Sequence, residues 1–298
     1  MARDSRSRAA LVKSDIVTRF APSPTGRLHL GHAFSALASH DLARAQDGTF
    51  MLRIEDIDAG RSRETFVDGI AEDLHWLGIE WDEQPVRQST RLGAYRAALG
   101  ALGAAGLLYP CFCTRADIAA AAAAPHGPEG AVYPGICRRL DPVERERRTA
   151  DEPHAWRLAM DKAVAFVGPI TWHDAKAGEV TAEPAQFGDV VLARKDAPAS
   201  YHLAVTVDDA WQRVTDVVRG ADLFRATHIH RLLQALLGLA TPRYHHHALL
   251  ADAEGRRLAK RDGAPTIAVL REAGADPAAL VADLRAGRMP VGLSATEV

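Results

Sequence analysis

The stretch from Arg19 to His32, reading RFAPSPTGRLHLGH, constrains this chain more than any other part of it. It follows the β-branched run Ile16-Val17-Thr18 and precedes an alanine-rich helical stretch from Ala33 to Ala45, so it reads as strand, rigid loop and helix N-terminus. Such a junction aims backbone N–H groups and the positive end of a helix dipole at an anion. Pro22 and Pro24 stiffen the loop, while Gly26 and Gly31 let a ligand approach the backbone. His29 and His32, three residues apart, project from one face of the first helical turn. Paired imidazoles around a phosphate-sized hole predict a nucleotide site that stabilises charge on phosphorus.

The rest of the chain supplies an architecture for this junction. Thr49 to Ile54 reads as a strand, Val67, Ile70, Ala71, Leu74 and Leu77 follow helical spacing, and Arg91 to Leu107 reads as a helix ending near Gly106. Strands alternating with helices predict a doubly wound parallel α/β sheet with the ligand beyond the carboxyl ends of its strands. Residues 15–110 form the first half of this nucleotide-binding domain, and residues 111–195 are expected to be inserted into it. The insertion holds an alanine run (Ala119 to Ala124) and β-like pieces around Trp156–Ala159, Val164–Val167 and Val190–Ala193. The α/β pattern returns over 196–240 with Tyr201–Val207, Val214–Val218 and a helix over Ala226–Leu237. Residues 241–298 form a loop and a helical tail ending near Arg285, and residues 1–14 read as a disordered tail.

Composition narrows the class. With 298 residues, 47% hydrophobic and 25% charged, the chain can bury one large core and a smaller one as a soluble globular protein. It has neither a secretory signal pattern nor an apolar run long enough to span a bilayer, so a cytoplasmic monomer is expected. Lys and Arg number 36 against 38 Asp and Glu, a net charge of −2, so overall charge does not favour a nucleic-acid partner. A local cluster, Arg138, Arg139, Arg145, Arg147 and Arg148, is interleaved with Glu144 and Glu146 and reads as a solvated helix face. His245, His246 and His247 form a run on the approach to a strand and lack the partner spacing of metal ligands.

Cys111, Cys113 and Cys137 are the only cysteines, and a clustered Cys-x-Cys in an intracellular enzyme favours metal over disulfide. Zinc takes four tetrahedral ligands, so one position is left to fill. His126 is the chemically ordinary candidate, Tyr133 is another, and three buried free thiols are the competing reading.

These motifs together resemble the class I aminoacyl-tRNA synthetases, with His29-Leu30-Gly31-His32 in place of their HIGH element. RFAPSPTG with Arg53-Ile54-Glu55-Asp56-Ile57-Asp58 resembles the glutamyl/glutaminyl branch. Tyr201-His202-Leu203-Ala204-Val205, Asp208-Asp209 and Asp216-Val217-Val218-Arg219-Gly220-Ala221-Asp222 extend the resemblance over residues 16 to 265. The resemblance implies a Rossmann-like fold with an inserted zinc-bearing subdomain, and it favours Tyr133, four residues before Cys137, as the fourth ligand of a structural zinc. It also implies that Arg257-Leu258-Ala259-Lys260-Arg261 stands for the KMSKS loop, with Arg257 and Ala259 departing from the usual lysine and serine. Pro22, Gly31, His32, Arg257, Leu258, Lys260 and Arg261 would then contact ATP, with His29, His32 and Lys260 catalytic.

For the amino acid, the implied contacts are Arg19, Phe20, Ala21, Pro22, Ser23, Glu55, Tyr201 and Arg219. Their chemistry suits glutamate: Glu55 for the ammonium, Arg19 and Arg219 for the two carboxylates, Tyr201 as a hydroxyl donor. Read in isolation, Glu55 is equally an ion-pair partner of Arg53 or Arg61, and Arg219 a structural charge at a strand end. Most members of the family continue into an anticodon-binding region. The short ones, which this chain resembles in length and cysteine pattern, place glutamate on the queuosine base of the tRNA(Asp) anticodon rather than on the 3′ end. ATP with Mg²⁺, L-glutamate and queuosine-bearing tRNA(Asp) are therefore the expected partners. A binding-only paralogue with a retired loop, or a small-molecule adenylate-forming ligase, is the alternative.

Overall fold

The structure is a computed structural model, and it describes residues 15–114, 116–118, 126–127, 130–252, 265–287 and 293–296. The tail 1–14, the alanine run 119–124 and the loop residues Arg257, Leu258, Lys260 and Arg261 lie outside the described residues.

The first half runs β1 (Val17–Phe20), α1 (Leu30–Arg44), β2 (Thr49–Ile54), α2 (Glu64–Trp76), β3 (Val86–Arg87) and α3 (Leu92–Ala104). β1 pairs with β2 and β2 with β3, both in parallel. All six residues of β2 are buried, as expected for a central parallel strand covered on both faces. Phe20, Leu30, Leu37, Phe50, Leu52, Ile54, Ile70 and Leu74 fill the core between this sheet and its helices.

The middle of the chain carries β4 (Leu108–Cys111), the short β5 (His126–Gly127) and β6 (Gly130–Ala131), α4 (Pro142–Asp151) and β7 (Ala155–Leu158). α5 (Met160–Val167), β8 (Thr171–Asp174), β9 (Gly178–Thr181) and β10 (Val191–Ala193) follow. β4, β7 and β10 make a small antiparallel sheet. Val164–Val167, expected to be β-like, is the last turn of α5. A short apolar run is ambiguous by periodicity, and here Ala163 is buried in a helical interface while Gly168, at φ 75°, ends the helix.

The second half comprises α6 (Tyr201–Trp211), β11 (Asp216–Gly220), α7 (Thr227–Leu236), β12 (Arg243–His247) and β13 (Leu249–Asp252). α8 (Ile267–Glu272), α9 (Pro277–Arg285) and β14 (Leu293–Thr296) complete it. β11, β12 and β8 pair in parallel. The histidine run thus lies within β12 rather than on the approach to a strand. β1 and β11 lie side by side and are tied at one end, where Thr215 N donates to Val17 O at 3.0 Å and Val17 N to Thr215 Oγ1 at 2.9 Å. Strand order reverses across this seam, so a crevice opens beyond the carboxyl ends of β1 and β11. α8 and α9 pack back onto the first half, where Arg271 pairs with Asp73 at 2.6 Å and Arg285 with Asp41 at 2.6 Å. No described helix is long and apolar enough to cross a membrane.

Candidate active site

The crevice holds a cavity of about 380 Å³ lined by residues from β1, the loop after it, α1, Glu55, α6 and the β11 end. Arg19, Phe20, Ala21, Pro22, Ser23, His29, Gly31, His32, Glu55, Tyr201 and Arg219 all face it. Every described residue that the sequence nominated for ATP or amino-acid contact is therefore on one surface. The loop backbone is pinned: Glu55 N donates to Pro22 O at 3.0 Å and Arg63 N to Pro24 O at 3.1 Å.

His29 is the N-cap of α1 and adopts extended backbone. Its Nδ1 accepts from Gly31 N at 3.1 Å, and His32 Nδ1 accepts from His29 N at 3.2 Å. A ring nitrogen that accepts a backbone N–H leaves the proton of a neutral imidazole on the other nitrogen, so both rings are donors at Nε2. Their centroids are 3.8 Å apart. Gly31 leaves room for this arrangement, because a Cβ there would lie 3.0 Å from His29 Cε1 and press the ring outward by a few tenths of an ångström.

Glu55, just past the end of β2, keeps some accessible surface because it faces the cavity, while protein surrounds it elsewhere. Burial lifts its carboxyl to about 7, against the opposing pull of Arg53 and Arg19. Arg19 is not a free fork. Its Nε and Nη2 donate to Asp209 Oδ1 and Oδ2 at 2.9 and 3.3 Å, and Nη1 reaches Val218 O at 3.4 Å. Asp209 also accepts from Arg53 Nη2 at 2.6 Å. Burial alone would raise the Asp209 carboxyl, but Arg19 and Arg53 outweigh it and hold the group below its ordinary range.

Arg219 is surrounded differently. It donates to Thr227 Oγ1 at 2.6 Å, to His246 Nε2 and His230 Nδ1 at 3.2 Å each, and to Tyr201 Oη at 3.4 Å. The histidine run does not converge on one point. His245 bonds Asp216, His246 bonds Asp174 and Arg219, and His247 bonds Ser35. Asp209, His230, His246 and Asp174 were not nominated as site residues. In the sequence Asp209 stands out only as part of a motif match and His246 only within the histidine run, because what each touches is set by the packing of separate elements.

Away from the cavity, Cys111, Cys113 and Cys137 place their sulfurs within 4.8 Å of one another. Tyr133 Oη lies 3.5 Å from Cys113 Sγ and accepts from Cys137 N at 2.8 Å. Three soft sulfurs and a hard oxygen at one point form a donor set that fits a tetrahedral metal. The Arg157 guanidinium sits 3.8 Å above the Tyr133 ring, while burial and then hydrogen bonds to the cysteines push the phenol well above its ordinary value. His126 belongs to β5. The arginine cluster is largely paired: Arg138 with Asp161, Arg147 with Glu144 and Arg148 with Glu152.

The loop expected to carry Lys260 is outside the described residues, but its flanks are not. Leu249 lines the cavity, and Thr266 pairs with His29 while Ile267 N donates to Leu28 O at 2.9 Å. The described flanks thus lie at the cavity wall and at the start of α1.

Residues 15–295 match the family model for the catalytic domain of class I tRNA synthetases (E and Q). A glutamyl-Q tRNA(Asp) synthetase of Rhodobacter capsulatus is 50% identical over 88% of this chain and 97% of its own length. Another from Symbiobacterium thermophilum is 46% identical over 89% of this chain and 84% of its own. Among solved structures, the glutamate-tRNA synthetase of Elizabethkingia anophelis superposes with a TM-score of 0.77 at 27% identity over 91% of this chain. The chain spans 61% of that longer enzyme. Motifs, fold and relatives agree, and the chain belongs to the class I tRNA synthetases of the E and Q type, within the group of glutamyl-Q tRNA(Asp) synthetases.

Proposed function

We propose that this chain activates L-glutamate with ATP and transfers it to the queuosine base in the anticodon of tRNA(Asp). The single observation carrying the reading is that the paired Nε2 donors of His29 and His32 share one cavity with Glu55, Tyr201, Arg19 and Arg219. In the first step a glutamate α-carboxylate oxygen bonds to the α-phosphorus of ATP, and the bond to pyrophosphate breaks. His29 and His32 donate to the crowded phosphoryl oxygens, Lys260 steadies the departing pyrophosphate, and Mg²⁺ accompanies the nucleotide as part of the substrate. Glu55, in its ionised form, holds the ammonium; Arg219 with Tyr201, and Arg19, receive the carboxylates. Pro22, Gly31, Arg257, Leu258 and Arg261 are the remaining nucleotide contacts, and Phe20, Ala21 and Ser23 shape the amino-acid end. In the second step an RNA hydroxyl attacks the mixed anhydride carbonyl and AMP leaves. Cys111, Cys113, Cys137 and Tyr133 hold one zinc, whose chemistry here is structural crosslinking.

Glutamate-dependent ATP–pyrophosphate exchange tests the first step, with His32→Ala and Lys260→Ala each lowering it about 10²- to 10³-fold. Labelled glutamate offered with tRNA(Asp) containing or lacking queuosine, and with the isolated anticodon stem-loop, tests the second. Incorporation that ignores the modification would remove this acceptor, and wild-type exchange in both variants would remove the assigned roles.

A further inference from the structure

Two buried arginines line the cavity, and the fold has given them opposite electrostatic settings. Arg19 spends its fork on Asp209, a carboxylate in direct contact at 2.9 Å. Arg219 is equally buried, with 6% of its surface accessible, yet every hydrogen-bond partner it has among the described residues is uncharged at neutral pH. A guanidinium only donates, and this fixes the tautomers around it. His246 must accept at Nε2, so its Nδ1–H donates to Asp174 Oδ2 at 2.7 Å. His230 must accept at Nδ1, so its Nε2–H donates to His202 Nδ1 at 3.1 Å. Asp174 is in turn fixed by the N–H groups of Lys176 and Ala177, both at 2.9 Å, and an imidazole ring separates it from the guanidinium. Burial, then the Arg219 charge, push the His246 imidazole down to about 4, and the same two causes hold His230 well below its ordinary value, so both rings are neutral.

The geometry of the shell has a front and a back. Thr227, His230 and His246 close off the back, and none of them lines the cavity. Tyr201, at 3.4 Å the loosest partner alongside these closer ones, is the one that does. The guanidinium is thus held from behind by neutral acceptors and presents its charge forward, through Tyr201, into the cavity. A desolvated cation with no carboxylate in contact is costly until an anion arrives. The cost is recovered only by a ligand that brings negative charge. An amide of the same shape keeps one acceptor oxygen but brings no charge, and its N–H donors find no acceptor on a donor-only group.

We propose that Thr227, His230 and His246 form an uncharged cradle that keeps Arg219 an unneutralised cation, and that this cradle sets the preference of the cavity for a carboxylate over a carboxamide. These three are positioning residues acting through Arg219. The inference rests on the reading of the cavity as a glutamate site. It adds to that reading the device by which glutamine is refused.

The test places a counter-charge in the cradle and reads selectivity rather than activity alone. His246→Glu sets a carboxylate against the guanidinium, while His246→Gln keeps a neutral acceptor and a donor for Asp174. L-glutamate and L-glutamine are titrated calorimetrically into the full chain of each variant, and KM and kcat are measured by pyrophosphate exchange. The expected result is that His246→Glu weakens glutamate binding at least tenfold, raises KM far more than it lowers kcat, and cuts the acid-over-amide ratio by a similar factor. His246→Gln stays within about threefold of wild type in that ratio. If His246→Glu does not fold, Thr227→Asp puts the charge on another side of the same guanidinium and is expected to act alike. An unchanged ratio in the charged variant, or an equal loss in His246→Gln, overturns the proposal. Wild-type protein that binds glutamate but catalyses no exchange would refute the adenylation step while the binding ratios still decide on the cradle; wild-type protein that binds no glutamate would overturn both.

Discussion

Glu55 sits at the carboxyl end of a wholly buried strand, with Arg53 two positions back and Arg19 on the neighbouring strand, yet burial outweighs both and lifts its carboxyl to about 7. An acid whose folded value is raised disfavours its own ionisation in the native state. Its stabilising contribution is complete below about 4.5 and is lost as pH rises through 7. Without ligand, Glu55→Gln is therefore expected to match wild-type stability near pH 4 and to exceed it at pH 8, by at most about 3 kcal/mol, with a correspondingly higher melting temperature. Melting curves at the two pH values check this; an equal shift at both would show that the carboxyl does not titrate in this range. The same substitution removes the partner proposed for the substrate ammonium, so the more stable protein should be the one that binds glutamate poorly. That trade-off is common where a site stores unfavourable charge. The nomination of Glu55 came from its neighbours in sequence, and the structure puts it in the cavity wall. Its altered acidity was not, because that depends on how much protein surrounds it.

Asp208 and Asp209 are adjacent on α6 and do different work for different elements. Asp208, fully buried, accepts from Gln88, Arg91 and Tyr95 at 2.9, 2.6 and 2.7 Å and fastens α3 with the turn before it. Asp209 bridges β1 and β2 by accepting from Arg19 and Arg53, and so sets the lateral position of the strand that carries Arg19. Asp209→Asn would leave two buried guanidinium groups without their counter-ion and is expected to destabilise the fold by about 3–5 kcal/mol. Asp47→Asn, at an exposed turn, should cost under about 0.5 kcal/mol. Urea unfolding of the two variants checks the contrast; equal midpoints would remove Asp209 from the clamp. At this scale sequence reading succeeded where periodicity and punctuation agreed, as in β2, α3 and α9. It failed at Val164–Val167, where four apolar residues suit either helix or strand and the choice falls to the partners they meet.

Among the described residues lie a large core under the parallel sheet, a second core between α3, α6 and α7, a small one around Trp172, Val217 and Tyr244, and another small one around Tyr109, Cys111, Phe112, Tyr133 and Cys137. A core that small cannot hold a segment by hydrophobic burial alone, so a metal crosslink at the three sulfurs is the expected staple. Isolated protein should contain about one zinc per chain. Chelation should erase amide-exchange protection over β4 and residues 133–140 while β1, β2 and β11 keep theirs. Protection that survives complete metal removal would argue for free thiols. The sequence by itself determined the strand–loop–helix junction, the cysteine cluster and the family, because each depends on residues close together in the chain whose local chemistry admits few alternatives. Tertiary structure alone decided that Arg19 pairs with Asp209 while the hydrogen-bond partners of Arg219 are uncharged, and that three consecutive histidines bond different groups. Those outcomes depend on which buried groups come within hydrogen-bonding reach, at separations from 8 residues (Arg219–Thr227) to 212 (Ser35–His247), and electrostatic energy in a desolvated interior is set by such distances.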